Sequence, residues 1–259
     1  MKRILLMCVG LLLLLTTGIG GTLAMSAAES EGVSGVSTGQ VNIKLLQEMR
    51  SDEGLEDFIF SNLVDKNVIY PAYSPNENRV CETYEIEGEP YSFWKKDSVV
   101  GAIDHIVRVK NSLLFSTDAY VRVFVAFEGG AENALVNCNT ADWEWSPVIK
   151  DVQITTHNDS NVNYTSTYDV YVATYKTVLE KGETTEPCLL QMALNGAETD
   201  HDFFAKVGLT YETLVYAQAV EARSEFGSVD NAFATAFGSV TENPGEFFSS
   251  INWAASSGS

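Results

Sequence analysis

Residues 103–127 have the sequence IDHIVRVKNSLLFSTDAYVRVFVAF and carry the clearest β signal in the chain. In residues 103–110 an apolar face that includes His105 alternates with a mostly charged face, and in 119–127 valines alternate with larger side chains. A period of two is typical of strands. The interval 111–118 is turn-prone, so we predict that the two strands form an antiparallel pair.

The same alternation predicts strands on both sides of this stretch. Residues 212–223 alternate and are mostly apolar on both faces, as expected of a central strand. The remaining predicted strands cover residues 40–45, 142–145 and 168–175.

Two short helices accompany the strands. We predict one at 200–207, opened by acidic residues, and one at 229–237, followed by Gly238 at a C′-like position. Many short strands separated by turn signals indicate an all-β chain with minor helices, folded as an antiparallel sandwich.

The N-terminus is predicted to be a signal peptide, residues 1–24. Lys2 and Arg3 precede a twelve-residue apolar run, Ile4–Leu15, and small residues lead to a cleavage site between Ala24 and Met25. The run is shorter than the roughly 20 residues that span a bilayer. We therefore expect a secreted protein, processed by a signal peptidase, with no membrane attachment afterwards.

The mature chain is predicted to have three parts. Residues 25–39 are a flexible arm rich in Ser, Gly and Ala, 40–241 are the sandwich domain, and 242–259 are a loose tail. Within the domain we expect an acidic loop at 51–57 and an irregular connection over 71–91.

Composition and charge exclude some classes of partner. The 259 residues are 45% hydrophobic, which is enough to build a core without disulfides or metals. With 16 basic and 35 acidic residues the formal charge is -19, and loss of Lys2 and Arg3 with the leader takes it to -21. Nucleic acids and anionic membranes both require basic surfaces, so we expect neither as a partner.

Three cysteines remain in the mature chain, Cys81, Cys138 and Cys188. Their pairing stays open, because an odd number in an exported protein allows one bridge and one thiol, or three thiols. No Cys-x-x-Cys or Cys/His cluster is present, so we predict no zinc site.

Several fragments in order resemble the TasA/camelysin family of exported proteins from Gram-positive bacteria, which SipW-type signal peptidases process. They begin with the leader ending Gly-Gly-Thr-Leu-Ala and the polar arm. The later matching fragments are residues 37–45, 106–111, 118–123, 179–185 and 214–220. The chain departs from the family after the cleavage point, where Met25-Ser26-Ala27-Ala28-Glu29 replaces an aromatic followed by an acidic residue.

The resemblance implies a jelly-roll-like sandwich and a role in the biofilm matrix or at the cell surface. In the TasA branch, subunits form fibres by donating an N-terminal strand to a neighbour, and an unpaired sheet edge can accept such a strand. Val33 and Val36 are the candidate donor-strand residues here. The expected partners are copies of this chain or related matrix proteins.

Catalysis is not predicted, although camelysin-like members have been classed as metallopeptidases. His105, His157 and His201 are far apart in sequence, whereas zinc peptidases of the usual kind carry two histidines four residues apart on a helix. We expect His105 to be a core or sheet histidine, His157 to lie in a loop, and the 200–202 segment to cap a helix. We therefore predict no catalytic residues and no bound metal.

Calcium is the most credible cofactor, although the default expectation is none. Asp52, Glu53, Glu56 and Asp57 are close together but lack the spacing of a calcium loop, so a solvated acidic loop is expected. Trp143 and Trp145 share one strand face and suit either glycan binding or, more commonly, the core. A surface metalloprotease and a monomeric adhesin or glycan-binding module are the alternatives to a self-associating matrix protein.

Overall fold

The computed structural model describes residues 35–38, 41–58, 68–69, 71–72, 79–95, 98–99, 102–128, 134–157, 163–195, 211–251 and 253. Most of them lie in strands. In chain order the strands are β1 (Gly35–Thr38), β2 (Ile43–Ser51), β3 (Gly54–Asp57), β4 (Val68–Ile69), β5 (Pro71–Ala72), β6 (Cys81–Ile86), β7 (Glu89–Trp94), β8 (Ile103–Asn111), β9 (Ala119–Glu128), β10 (Ala134–Cys138), β11 (Trp143–Trp145), β12 (Ile149–His157), β13 (Asn163–Tyr175), β14 (Leu189–Asn195) and β15 (Tyr211–Glu221). The α-helices are α1 (Val229–Phe237) and α2 (Pro244–Ser249).

The strands form two main sheets and one hairpin. The first sheet has the order β1-β15-β9-β13-β11, with β12 beside β13 and β4 beside β15. The second has the order β10-β14-β8-β2-β3, with β5 beside β14, and β6 pairs with β7. Most pairings are antiparallel, and the chain changes sheet at each of the connections β8–β9, β9–β10, β10–β11, β13–β14 and β14–β15. The predicted all-β, jelly-roll-like sandwich is confirmed.

The main core lies between the two sheets. Inward-facing residues of the first sheet, such as Val121, Val123 and Val215, pack against those of the second, such as Val107 and Leu189. Each of these side chains is almost fully removed from water. The alternation in the sequence therefore separates the two faces of these strands, and β15 is buried on both faces as predicted, with β9 on one side and β1 along part of the other.

The predicted pairing of 103–110 with 119–127 is wrong, because β8 and β9 lie in opposite sheets. β8 pairs with β2 and β14, whereas β9 pairs with β13 and β15. The connection crosses the roughly 10 Å between packed sheets. Buried Asn111 fixes this arch: its Nδ2 donates to the carbonyl oxygens of Thr117, Leu179 and Glu180, and its Oδ1 accepts a short hydrogen bond from Ser116 Oγ.

A hairpin covers the outer face of the second sheet, where the sequence predicted irregular chain. In β6 and β7, Ile86 and Phe93 pack on Ile106 of β8. Ion pairs attach the layer: Arg50 Nε lies 2.8 Å from Asp104 Oδ2, and its Nη1 lies 3.0 Å from Glu82 Oε1 on β6. Within the predicted irregular connection, residues 81–86 and 89–91 are therefore strand.

The predicted acidic loop at 51–57 is also wrong. β2 and β3 form a hairpin whose turn is Asp52 and Glu53, and Ser51 pairs with Gly54. Glu56 and Asp57 are neighbours on β3 and therefore point to opposite faces, with Met49 and Glu48 as their respective cross-strand partners.

Two helices cover the outer face of the first sheet. α1 spans 229–237 as predicted, with Ser228 as N-cap and Gly238 at a φ of 86° beyond its end. The expectation of a loose tail from residue 242 is wrong for the residues described there: α2 buries Phe247 and Phe248, and Trp253 packs with them against β9 and β15. The predicted helix at 200–207 lies outside the described residues.

Candidate functional site

β1, the end of the N-terminal arm, forms one edge of the first sheet. It pairs in parallel with β15, with Gly35 opposite Ala217 and Thr38 opposite Val220. The backbone of Val36 lies opposite Gln218 in this register. Ala24, Met25 and Val33, the other residues named from the sequence, lie outside the described residues.

β15 extends beyond the four residues with which β1 pairs. β4 pairs with Tyr211 and Glu212 at the far end. Within the described residues, no strand pairs with residues 213–216 on the side opposite β9. Backbone N–H and C=O groups along such an edge are the groups to which an additional strand binds.

Three consecutive large apolar side chains project from the arch between β8 and β9. Leu113, Leu114 and Phe115, here called the apolar tip, are 65%, 66% and 91% exposed. Phe115 has a φ of 57°, in the left-handed region that bulky residues seldom adopt. The arch was predicted only as a turn-prone interval, and the signal that identifies the tip is its run of three apolar residues.

The apolar tip and the end of β1 lie at the same end of the sandwich. Thr38 pairs with Val220, one residue before Glu221, which pairs with Ala119 at the start of β9. The chain then enters β2 next to the arch: Asn42 N donates to Ser116 Oγ at 3.0 Å, and Ser112 N donates to Asn42 O at 2.8 Å. Hydrogen bonds therefore connect the segment that leads into β2 to the loop that carries the apolar tip.

His105 is a buried histidine, as the sequence predicted. Its Nε2 lies 2.8 Å from Gln47 Oε1, its Nδ1 lies 3.3 Å from Met192 Sδ, and Phe58 stacks on the ring at 4.5 Å. Burial lowers the pKa of His105 to about 3, because the imidazolium would lose its hydration. The ring is neutral at physiological pH.

The other candidate ligands do not come together in the described structure. His157 ends strand β12 and pairs with Asn163, so the predicted loop is wrong at this residue. His201, Asp200 and Asp202 lie outside the described residues. Among the residues that are described, no three His, Cys, Asp or Glu side chains are close enough to hold a metal ion.

The two tryptophans of β11 belong to the core, the commoner of the two predicted roles. Trp143 is 1% exposed and donates from Nε1 to Glu186 O at 2.9 Å, and Trp145 packs against the same core. Neither ring is presented as a glycan platform. The cysteines are thiols in this structure: Cys81 is exposed, Cys138 half-buried and Cys188 buried.

None of the helices within the described ranges has the length and apolar character needed to cross a bilayer. No protein-family model, curated protein or solved structure matches the chain. The TasA/camelysin resemblance thus remains a prediction based on the fragments quoted above.

Proposed function

We propose that this chain is an exported structural protein of the extracellular matrix or cell surface, which self-associates by adding its N-terminal strand to a neighbouring copy. The observation that carries the proposal is the position of β1. Among the described residues it is the first strand of the chain, it lies at an edge of the first sheet, and it pairs with β15 over residues 35–38.

Such a strand is suited to exchange between copies. The contacts that β1 makes with β15 of its own chain are the contacts that a β1 from a second chain would make, so exchange loses no backbone hydrogen bonds. The pairing seen among the described residues is short, and a short pairing contributes little stability, so a neighbouring copy can compete for the edge at high local protein concentration. A strand passed from copy to copy in one direction produces an open filament.

The register favours a longer donor strand than β1 itself. Because β1 runs parallel to β15, extending the register by four residues would set 31–34, which include Val33, opposite 213–216. Val33 and Val36 would then lie within an eight-residue donor strand, and β-branched residues favour strands.

The apolar tip provides a second contact in the proposed assembly. Three exposed apolar residues in sequence mark an interaction site more often than a purely solvated loop, and the strained backbone of Phe115 points the same way. The tip lies at the end where β1 finishes, so a subunit joined through the arm is close to it.

The test is assembly of the mature chain, residues 25–259, followed by light scattering and negative-stain microscopy. We expect filaments from the mature chain and none after deletion of 25–39. The deleted chain keeps its β15 edge, so it accepts a strand but donates none. Added in small amounts to the mature chain, it should shorten the filaments.

The paired variants V33P/V36P and V33A/V36A distinguish assembly by strand addition from non-specific aggregation. Proline removes a backbone donor and should prevent assembly, whereas alanine keeps the backbone and should only slow it.

Filaments from the chain lacking 25–39 would refute the proposal. A permanent monomer that binds a ligand saturably would favour an adhesin, and chelator-sensitive cleavage of casein that survives repurification would favour a protease.

A further inference from the structure

A cavity of about 520 Å³ lies on the outer face of the first sheet, beneath α1. Its polar residues include Arg122 of β9 and, on α1, Asp230 and Asn231, and its apolar wall includes Ile149, Val172 and Val240. Small-molecule sites in proteins have this size and this combination of apolar walls with a few polar groups. The cavity lies on a face of the sheet, whereas the proposed assembly uses a sheet edge; Gln218, which pairs with Arg122, separates Arg122 from Val36 of β1.

Arg122 is the unusual residue of this cavity. It is only 7% exposed, and its Nε donates to Gln218 Oε1 at 2.8 Å on the neighbouring strand. Its Nη2 is buried and has no hydrogen-bond partner among the described residues. A buried donor without an acceptor is unfavourable, and more so when it is charged.

Aromatic rings surround the guanidinium instead of carboxylates. Its Cζ lies 4.4 Å from the ring centre of Phe233, 5.1 Å from that of Phe124 and 5.4 Å from that of Phe247. Burial lowers the pKa of Arg122 to about 9, while nearby Asp230 opposes the shift. Asp230 is exposed and, within the described structure, does not come within ion-pair distance of Arg122.

We propose that this cavity binds a small organic carboxylate, with its charged group on the guanidinium of Arg122 and its apolar body against Ile149, Val172 and Val240. A carboxylate supplies the acceptors that the guanidinium lacks, in the planar geometry that matches it. The apolar wall and the nearby negative charge of Asp230 favour a singly charged carboxylate over phosphate.

The test compares matched acids and amides on the purified mature chain by isothermal titration calorimetry. The probes are hexanoate with hexanamide, and phenylacetate with phenylacetamide. We expect at least one acid to bind saturably and at least tenfold more tightly than its amide, since the charge-assisted hydrogen bonds are lost in the amide. Equal affinity within both pairs, or no binding of either acid, would overturn the proposal.

Two variants connect the binding to Arg122. R122M keeps the packing against the rings and should abolish the preference for acid over amide. Q218E places a carboxylate beside Nε within the protein and should weaken acid binding at least tenfold, so it keeps the test decisive if R122M does not fold. The control is R223M, which removes an exposed arginine paired with Glu221. Acid binding that R122M or Q218E leaves intact, or that R223M weakens as much, would contradict the assignment.

Discussion

His105 should make the stability of this protein depend on pH in a predictable window. Its pKa is about 3 in the folded protein, against about 6.5 in an unfolded chain. The folded state therefore binds fewer protons than the unfolded state between these values, and the free energy of unfolding falls as the pH falls from about 6.5 to about 3. Above pH 6.5 this contribution is constant.

The size of the effect follows from linkage. At pH 5.0 the unfolded histidine is almost fully protonated and the folded one is not, which costs about 2 kcal/mol relative to pH 7.5. This magnitude depends on the unfolded pKa and hardly on the folded one, provided that the latter is well below 5. Burial of the imidazole is the cause of the shift.

The assay is urea denaturation at pH 7.5 and 5.0, carried out on the unmodified mature chain and on the variants H105Q and V107A. Val107 is on the same inner face of β8, so V107A should destabilise the protein equally at both pH values. H105Q should lose about 2 kcal/mol less than the unmodified chain on acidification. An identical loss in both would refute the claim that His105 is buried and neutral.

Three further outcomes test burial and the arch. One equivalent of Ellman's reagent should react with the native mature chain, at Cys81, and three in guanidinium, because burial raises the pKa of Cys138 to about 12 and that of Cys188 still further. F248A should lower the free energy of unfolding by about 3–5 kcal/mol in a urea titration, whereas a loose tail predicts almost no change. N111A should cost about 2 kcal/mol or more in the same assay, since it leaves buried polar groups of the arch without partners.

Alternation in the sequence identified the strands but not their partners. The period of two groups the side chains that share a face, and the valines of β9 and Val107 and Val109 of β8 all lie in the main core. It does not distinguish a hairpin from an arch between sheets, because both connect two strands of the same pattern. The difference lies in Asn111, whose side chain turns the backbone toward the other sheet through contacts with Leu179 and Glu180, distant in sequence.

The outer layers were missed for a related reason. The Pro- and Asn-rich approach to β6 and the polar C-terminal segment resemble loops in local composition. Their structure depends on a few aromatic side chains that pack against the sheets, and these contacts exist only once the sheets have folded. Phe93 packs against Ile106, and the ring centres of Phe248 and Phe124 lie 5.3 Å apart. In the sequence, Arg122 is simply one polar residue of an alternating strand. The aromatic residues around it in the structure come from β9 and from helices more than a hundred residues away in sequence.

The three arginines whose head groups lie against the two sheets differ in a way that supports a ligand at Arg122. Arg50 meets Asp104 through two hydrogen bonds, at 2.8 and 3.0 Å, and Arg108 meets Glu48 in the same forked geometry. A chain with 35 acidic and 16 basic residues does not lack carboxylates for a third such pair. Arg122 has an amide on its Nε and aromatic rings around its guanidinium instead, beside a cavity, so the carboxylate that Asp104 and Glu48 supply to the other two arginines is left to come from outside the chain.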